Sequence, residues 1–354
     1  MYIKMEAIPT LYLIISCTLL LCVNGRGNAA PFPKIDAIYQ FGDSISDTGN
    51  VFFQAGNVGC GMSPYGETFF HHPTGRCSDG LLMVDHIARA LRLPLVDPYL
   101  ARSGNFTHGV NFAVAGATAL DISFLAAKKI TAVGTTSSLL VQLGWFKSHL
   151  YKTCTNPSAR RQKLRNALFI VGGIGGDDYN SGGLAGENLQ DLRRLVPDVV
   201  QAISNVVREV INLGARRIIV PGSFPVGCMP ICGAGIRVGD PSYDDLGCLK
   251  SWNEFAAFHN SQLQGAIINI QRQNPGVRVV YGDYFSALYS LMRNAPALGF
   301  DPNGLYTPCC SNCGSPAGTS CPNPSSRVSW DGLHMTQHAY QYVANQLLKQ
   351  IRKM

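Results

Sequence analysis

Short apolar runs alternate with longer segments of helical period along most of this chain. The runs are 35–41 (IDAIYQF), 110–114 (VNFAV), 167–171 (ALFIV), 217–220 (RIIV) and 277–281 (VRVVY). Such near-continuous apolar runs suit the strands of a parallel sheet covered on both faces. Four of them end at or within a few residues of glycine: Gly42, Gly116, Gly172 and Gly222. Residues 79–91, 197–213, 250–272 and 336–351 instead repeat apolar positions at the period of an amphipathic helix. The second of these opens on Pro197, a residue suited to the first helical position, and stops at Gly214. The last has Thr336 at its N-cap and Arg352 and Lys353 at the end that favours cations. The alternation predicts one α/β domain built on a parallel sheet. Residues 300–329, rich in Pro, Gly, Ser and Cys, read as a long loop held by disulfides. No internal repeat is present.

Composition narrows the class. The chain has 354 residues, 46% of them hydrophobic and 14% charged, too apolar for a disordered protein. Its 37 glycines show no three-residue period. The net charge of +7 is spread along the chain without a run of five or six basic residues, which argues against nucleic-acid binding.

The N-terminus reads as a signal peptide. Lys4 precedes the apolar residues 11–23, and small or turn-forming residues follow from Asn24 to Ala30. A spanning helix needs roughly 20 apolar residues, so this run is short for an anchor. The expected organisation is a leader over residues 1–27 and one domain over 28–354, secreted without a membrane anchor. Cys17 and Cys22 leave with the leader. The remaining cysteines are Cys60, Cys77, Cys154, Cys228, Cys232, Cys248, Cys309, Cys310, Cys313 and Cys321. In a secreted chain this even number implies disulfides, with connectivity open. Cys310-Ser-Asn-Cys313 has zinc-knuckle spacing, but no second such pair lies nearby, which favours a disulfide loop. Asn105-Phe-Thr is a glycosylation sequon and fits the same route.

Ligands of open α/β sheets bind beyond the carboxyl ends of the strands, so the residues after each run carry the candidate chemistry. The first run leads into Gly42-Asp-Ser44-Ile-Ser-Asp-Thr-Gly-Asn50, and the second into Ala115-Gly116-Ala-Thr118. The third leads into Gly172-Gly-Ile-Gly-Gly176-Asp177-Asp178. Far downstream stands Trp330-Asp331-Gly-Leu-His334. Spacing i, i+3 can bring Asp331 within reach of His334 and fix the tautomer of a histidine acting as base. These pieces supply a nucleophile, a base, an orienting carboxylate and backbone donors, the parts of acyl transfer. The chain contains no G-x-S-x-G, which argues against the nucleophile elbow of α/β-hydrolases.

Together these blocks resemble the plant GDSL esterase/lipase family of the SGNH hydrolase superfamily, over nearly the whole mature chain. FGDSISDTGN (41–50) resembles the block that holds the nucleophile, here Ser44. GVNFAVAGAT (109–118) resembles the block whose glycine, here Gly116, donates its N–H to the oxyanion. DGLHMT (331–336) resembles the block that completes the triad, here with Asp331 and His334. PYGETF (64–69), PTGRCSDG (73–80), VPGSFPVGC (220–228) and DLGCL (245–249) are also similar. They point to the subgroup that includes sinapine esterases and acetylajmalan esterase. The resemblance implies a three-layer α/β/α sandwich with a five-stranded, mostly parallel, flavodoxin-like sheet. It also implies secretion to the apoplast or vacuole, no cofactor and no metal.

One block departs from the pattern. The family reads Gly-x-Asn-Asp where this chain reads Gly175-Gly-Asp177-Asp178, and the Asn amide is the third oxyanion donor. An ionised Asp has no hydrogen to donate and repels the developing charge. Loss of one such donor typically costs about 10²–10³ in rate. Asp177 could be held protonated by burial and by Asp178, it could serve a redirected reaction, or the hole could work on Ser44 and Gly116 alone. The reading is therefore a monomeric serine esterase that hydrolyses an ester of a small plant metabolite through an acyl-enzyme on Ser44. An acyltransferase using the same triad, and a non-catalytic ligand-binding or defence protein, are the alternatives.

Overall fold

The apolar runs form five strands: β1 (Ala37–Phe41), β2 (Gly109–Asn111), β3 (Ala167–Val171), β4 (Arg217–Pro221) and β5 (Arg278–Gly282). This computed structural model describes residues 31–184, 187–234 and 242–354, so the leader expected over 1–27 lies outside the described residues. The strands form one sheet in the order β2-β1-β3-β4-β5, every neighbouring pair parallel. The pleat sends Tyr39, Phe41, Phe169 and Val171 into one buried layer and Ile38, Leu168 and Ile170 into the other. Both faces are covered, which is why the runs are apolar at consecutive positions rather than alternating.

The helices are α1 (Asn50–Ala55), α2 (Met83–Ala90), α3 (Ile122–Ala127), α4 (Leu139–Thr153), α5 (Pro157–Arg165) and α6 (Gly176–Leu184). Then follow α7 (Leu189–Leu213), α8 (Pro230–Ala234), α9 (Lys250–Gln273), α10 (Tyr284–Arg293) and α11 (Gln337–Ile351). Phe146 of α4, Val199 of α7 and Phe255 of α9 sit in the layer with Tyr39 and Phe169. Ile87 of α2, Leu291 of α10 and Val343 of α11 fill the opposite layer. Phe32–Met354 is one compact unit of three-layer α/β/α type.

Three boundaries differ from the sequence expectation. Helix α7 begins at Leu189 and carries Pro197 inside it, because Asn188 caps the N–H groups of Gln190 and Asp191 and Leu192, Leu195 and Val196 lengthen its buried stripe. Packing of those first two turns outweighs the hydrogen bond that the proline removes. Helix α2 starts only at Met83, since the Asp85 carboxylate turns back to accept the Leu82 N–H at 2.9 Å. Strand β2 pairs over three residues only, yet the Phe112 and Val114 N–H groups still reach the carbonyls of Gln40 and Gly42. That keeps the second block alongside the first.

Disulfides join Cys60 to Cys77, Cys228 to Cys248, Cys309 to Cys321 and Cys310 to Cys313, while among the described residues Cys154 and Cys232 are free. The 300–329 stretch thus holds two of the four, around a short antiparallel pairing of Cys310–Ser311 with Thr319–Ser320. Buried Arg76 grips buried Asp85 with two hydrogen bonds of 2.8 and 2.9 Å and donates a third, of 3.0 Å, to the Thr48 carbonyl. Arg76→Met strands a carboxylate in the core. It is expected to lower the free energy of unfolding by about 3–5 kcal/mol, measured by urea denaturation; a loss below 1 kcal/mol contradicts this account of the pair.

Candidate active site

The chain leaves β1 through Gly42, where any β-carbon would meet the carbonyl oxygens of Gly172 and Gly173 at 3.0 Å. Gln142 of α4 fixes this turn from below, accepting from the Gly42 N–H at 3.0 Å and donating to its carbonyl at 2.8 Å. Asp43 N–H bonds the Gly173 carbonyl, tying the first block to the third. Ser44 follows with 8% of its surface exposed. Asp47, fully buried, accepts from the N–H groups of Gly49, Asn50 and Val51 and, across the fold, of Ala115 at 2.9 Å. Asn50 donates to the carbonyls of Asn111 and Ala113. Asp178, at the start of α6, accepts from Ala119 and Leu120 at 2.7 and 2.9 Å. Buried side-chain bonds therefore lock the first three blocks together around Ser44. The third takes part through Asp178, not only through the oxyanion position.

His334 Nε2 lies 2.7 Å from Ser44 Oγ, and His334 Nδ1 lies 2.6 Å from Asp331 Oδ2. The Asp331 carboxylate also accepts from the N–H groups of Leu333 and His334 and, at 2.8 Å, from the Tyr65 hydroxyl. This segment hangs on the disulfide loop: Cys309 and Cys310 donate to the carbonyls of Ser329 and Trp330 at 3.0 and 2.7 Å. Burial pushes Asp331 up, but the His334 charge and these hydrogen bonds outweigh it and hold the carboxyl well below its usual range. Burial pushes His334 down, but Asp331 and, behind it, Asp177 overcome that and raise it. Serine, imidazole and carboxylate thus form one continuous relay. Tyr65 shares Asp331 Oδ2 with the imidazole, so Tyr65→Phe is expected to lower kcat about tenfold, the worth of one hydrogen bond to a charged group. Steady-state kinetics on p-nitrophenyl acetate check this, an unchanged kcat being the contrary result.

Among the described residues no acceptor meets the N–H of Ser44 or of Gly116. Gly116 adopts the left-handed φ of +81°, which suits glycine. Both donors are thus available to an incoming oxyanion. Ser44 opens on a cavity walled by Ile45, Ile174, Phe224, Trp252, Phe255 and Leu333, and Asp177 lines the same space. Asp177 is half-buried. Burial lifts it, the His334 charge and the Asn180 amide pull it back, and it comes to about 6. Asp43, on the other side, is raised well above its usual value by burial and by Asp177.

Every site residue expected from sequence is accounted for. Ser44, Asp331 and His334 come into direct contact, and Gly116 and Asp177 belong to the segments locked around them. Asn105 stands apart and exposed, its side chain accepting from the Thr107 N–H. Sequence reasoning missed Tyr65, Asp47, Asn50 and Gln142. Asp47 and Asn50 lie in the first block and could have been suspected from their place beside Ser44; Tyr65 lies in the family-like stretch 64–69, which does not name its partner, and nothing local marks Gln142.

A profile of the GDSL-like lipase/acylhydrolase family matches residues 38–347. Acetylajmalan esterase 1 of Rauvolfia serpentina is 44% identical over 334 residues, covering 90% of this chain and 87% of that protein. A second acetylajmalan esterase of the same plant is 43% identical, covering 93% and 88%. A GDSL esterase/lipase of Arabidopsis thaliana is 41% identical, covering 96% and 90%. Matches of this extent span the sheet and all four blocks gathered around Ser44, so the chain belongs to the GDSL lipase/acylhydrolase family and is a carboxylic ester hydrolase.

Proposed function

We propose that this protein is a secreted esterase that cleaves an ester of a small plant metabolite through an acyl-enzyme on Ser44. The observation that carries the reading is the relay from Ser44 Oγ through His334 to Asp331, at 2.7 and 2.6 Å, at the edge of an apolar cavity. His334 Nε2 takes the serine proton as Oγ attacks the ester carbon, and Asp331 holds Nδ1 and balances the imidazolium charge. The N–H groups of Ser44 and Gly116 receive the oxyanion. The imidazolium returns its proton to the leaving alcohol, and water, activated by the same nitrogen, then releases the acid. Aromatic and aliphatic walls suit a substrate whose bulk is apolar.

Four disulfides and an exposed Asn105 sequon support the secretory route, with Asn105 glycosylated. Residues 28–354 act as a single domain and as a monomer. The test is labelling of the folded protein with a fluorophosphonate, alongside release of acid from acetylated alkaloids and from choline and phenolic esters. Labelling at Ser44 with hydrolysis of one of these classes is expected. A folded protein that neither labels nor hydrolyses any of them is a ligand-binding protein instead. Product made only when a second alcohol is added marks an acyltransferase.

A further inference from the structure

The sheet edge opposite the candidate active site is basic. All five strands are parallel, so all start on that edge. Arg165 closes α5 just before β3, Arg216 stands just before β4 and Arg217 opens it, and Arg278 opens β5. Arg217 and Arg278 are direct register partners, and the Arg217 guanidinium donates to the Arg165 carbonyl at 3.0 Å. The row therefore runs across three adjacent strands at steps of about 5 Å. Arg161, one turn before Arg165, widens it: a β-carbon on Gly214, at the entry to β4, would meet its Cα at 3.0 Å.

Arg161, Arg165, Arg216 and Arg278 are exposed. Among the described residues none of the five makes an ion pair, and the buried Arg217 Nε has no acceptor. At the β1 end of the edge the charge ends, since Lys34 pairs with Asp36 at 3.8 Å and Asn166 donates to the same carboxylate.

We propose that this arginine row is a docking surface for an acidic polysaccharide, a linear polymer with one carboxylate per sugar. Guanidinium forks pair with carboxylates in bidentate fashion, and an unpaired row of them has no internal partner to displace. None of the exposed large hydrophobic side chains stands in the row, so it offers no ring for stacking bases and no wedge for a bilayer. The choice of a polysaccharide also rests on the secretory route proposed above. Binding on this edge leaves the cavity at the other end of the strands open, so the enzyme is anchored while active.

The experiment measures binding of the full chain to oligogalacturonate at several salt concentrations. Arg165→Gln/Arg216→Gln/Arg278→Gln is compared with a charge-matched control, Arg102→Gln/Lys128→Gln/Lys129→Gln. The row variant is expected to bind at least about tenfold more weakly and to lose about one unit of salt slope per arginine, by the counterion-release argument. The control should stay close to wild type. Equal weakening in both variants reduces the effect to net charge and overturns the proposal. So does tighter binding by wild type to single-stranded DNA or to phosphatidylserine vesicles than to oligogalacturonate. Hydrolysis of p-nitrophenyl acetate by all three proteins shows that each is folded and is read independently of docking.

Discussion

Ser44→Ala is expected to abolish fluorophosphonate labelling and to lower kcat on p-nitrophenyl acetate by about 10⁶, the scale seen when a triad serine is lost. The structure explains why one oxygen carries so much. Ser44 Oγ is the atom within 2.7 Å of His334 Nε2, and its own N–H faces no acceptor among the described residues. Removing the oxygen leaves the donors and cavity in place but ends covalent catalysis, so any remainder comes from binding and the oxyanion hole alone. His334→Ala should match it closely, because the two act as a unit. A Ser44→Ala protein that keeps wild-type labelling places the nucleophile elsewhere and sinks the proposed mechanism.

Asp177→Asn is expected to do the reverse and raise kcat, by about a hundredfold at pH 8. The reason is a conflict between two protonation states. His334 can act as base only above its own raised value, which lies above the ordinary 6.5. Asp177 can donate a hydrogen bond only while protonated, below about 6. The two groups are coupled, each value resting on the other's charge, and an Asp177 ionised where the base works would leave the proposed hole two donors instead of three. Asparagine restores a donor at every pH, worth about 3–4 kcal/mol when such a group is well placed.

The same substitution has a second signature. The Asp177 charge helps to hold His334 in its imidazolium form, so its loss lowers that value. The acid limb of kcat/KM should move to lower pH in Asp177→Asn. A gain without a shift of the limb points to the hole alone, and a shift without a gain points to a carboxylate that acts only on His334. Equal rates and equal limbs remove Asp177 from the chemistry altogether.

How much of this was legible beforehand depends on how local each feature is. The sheet could be read because its strands are buried on both faces, which makes their apolarity continuous and visible in any window of five residues. The start of α7 could not, because Pro197 is a strong local signal and what overrides it is the burial of Leu192, Leu195 and Val196 against other elements. Ser44, Asp331 and His334 were legible because reactive residues sit in short fixed blocks at strand ends and helix starts, where local backbone geometry aims them. Tyr65 reaches Asp331 across 266 positions and Gln142 reaches Gly42 across 100, and no spacing rule connects such residues. The cysteines implied disulfides, and four form among the described residues; which cysteines stay out of them, Cys154 and the buried Cys232 of the cavity wall, was not legible from their number.

By itself, then, the amino-acid order determined the α/β class and brought forward Ser44, Asp331 and His334 as candidates by residue type and short-range spacing, while the departure at Asp177 came from the family resemblance. Tertiary structure alone decided the rest. It set the two values that place Asp177 and His334 in opposition, because both depend on burial and on charges brought close by folding. It also joined Arg161, Arg165, Arg216, Arg217 and Arg278, scattered over more than a hundred positions, into one edge. Parallel strands all begin on the same side, so residues at their starts become neighbours only when the sheet forms.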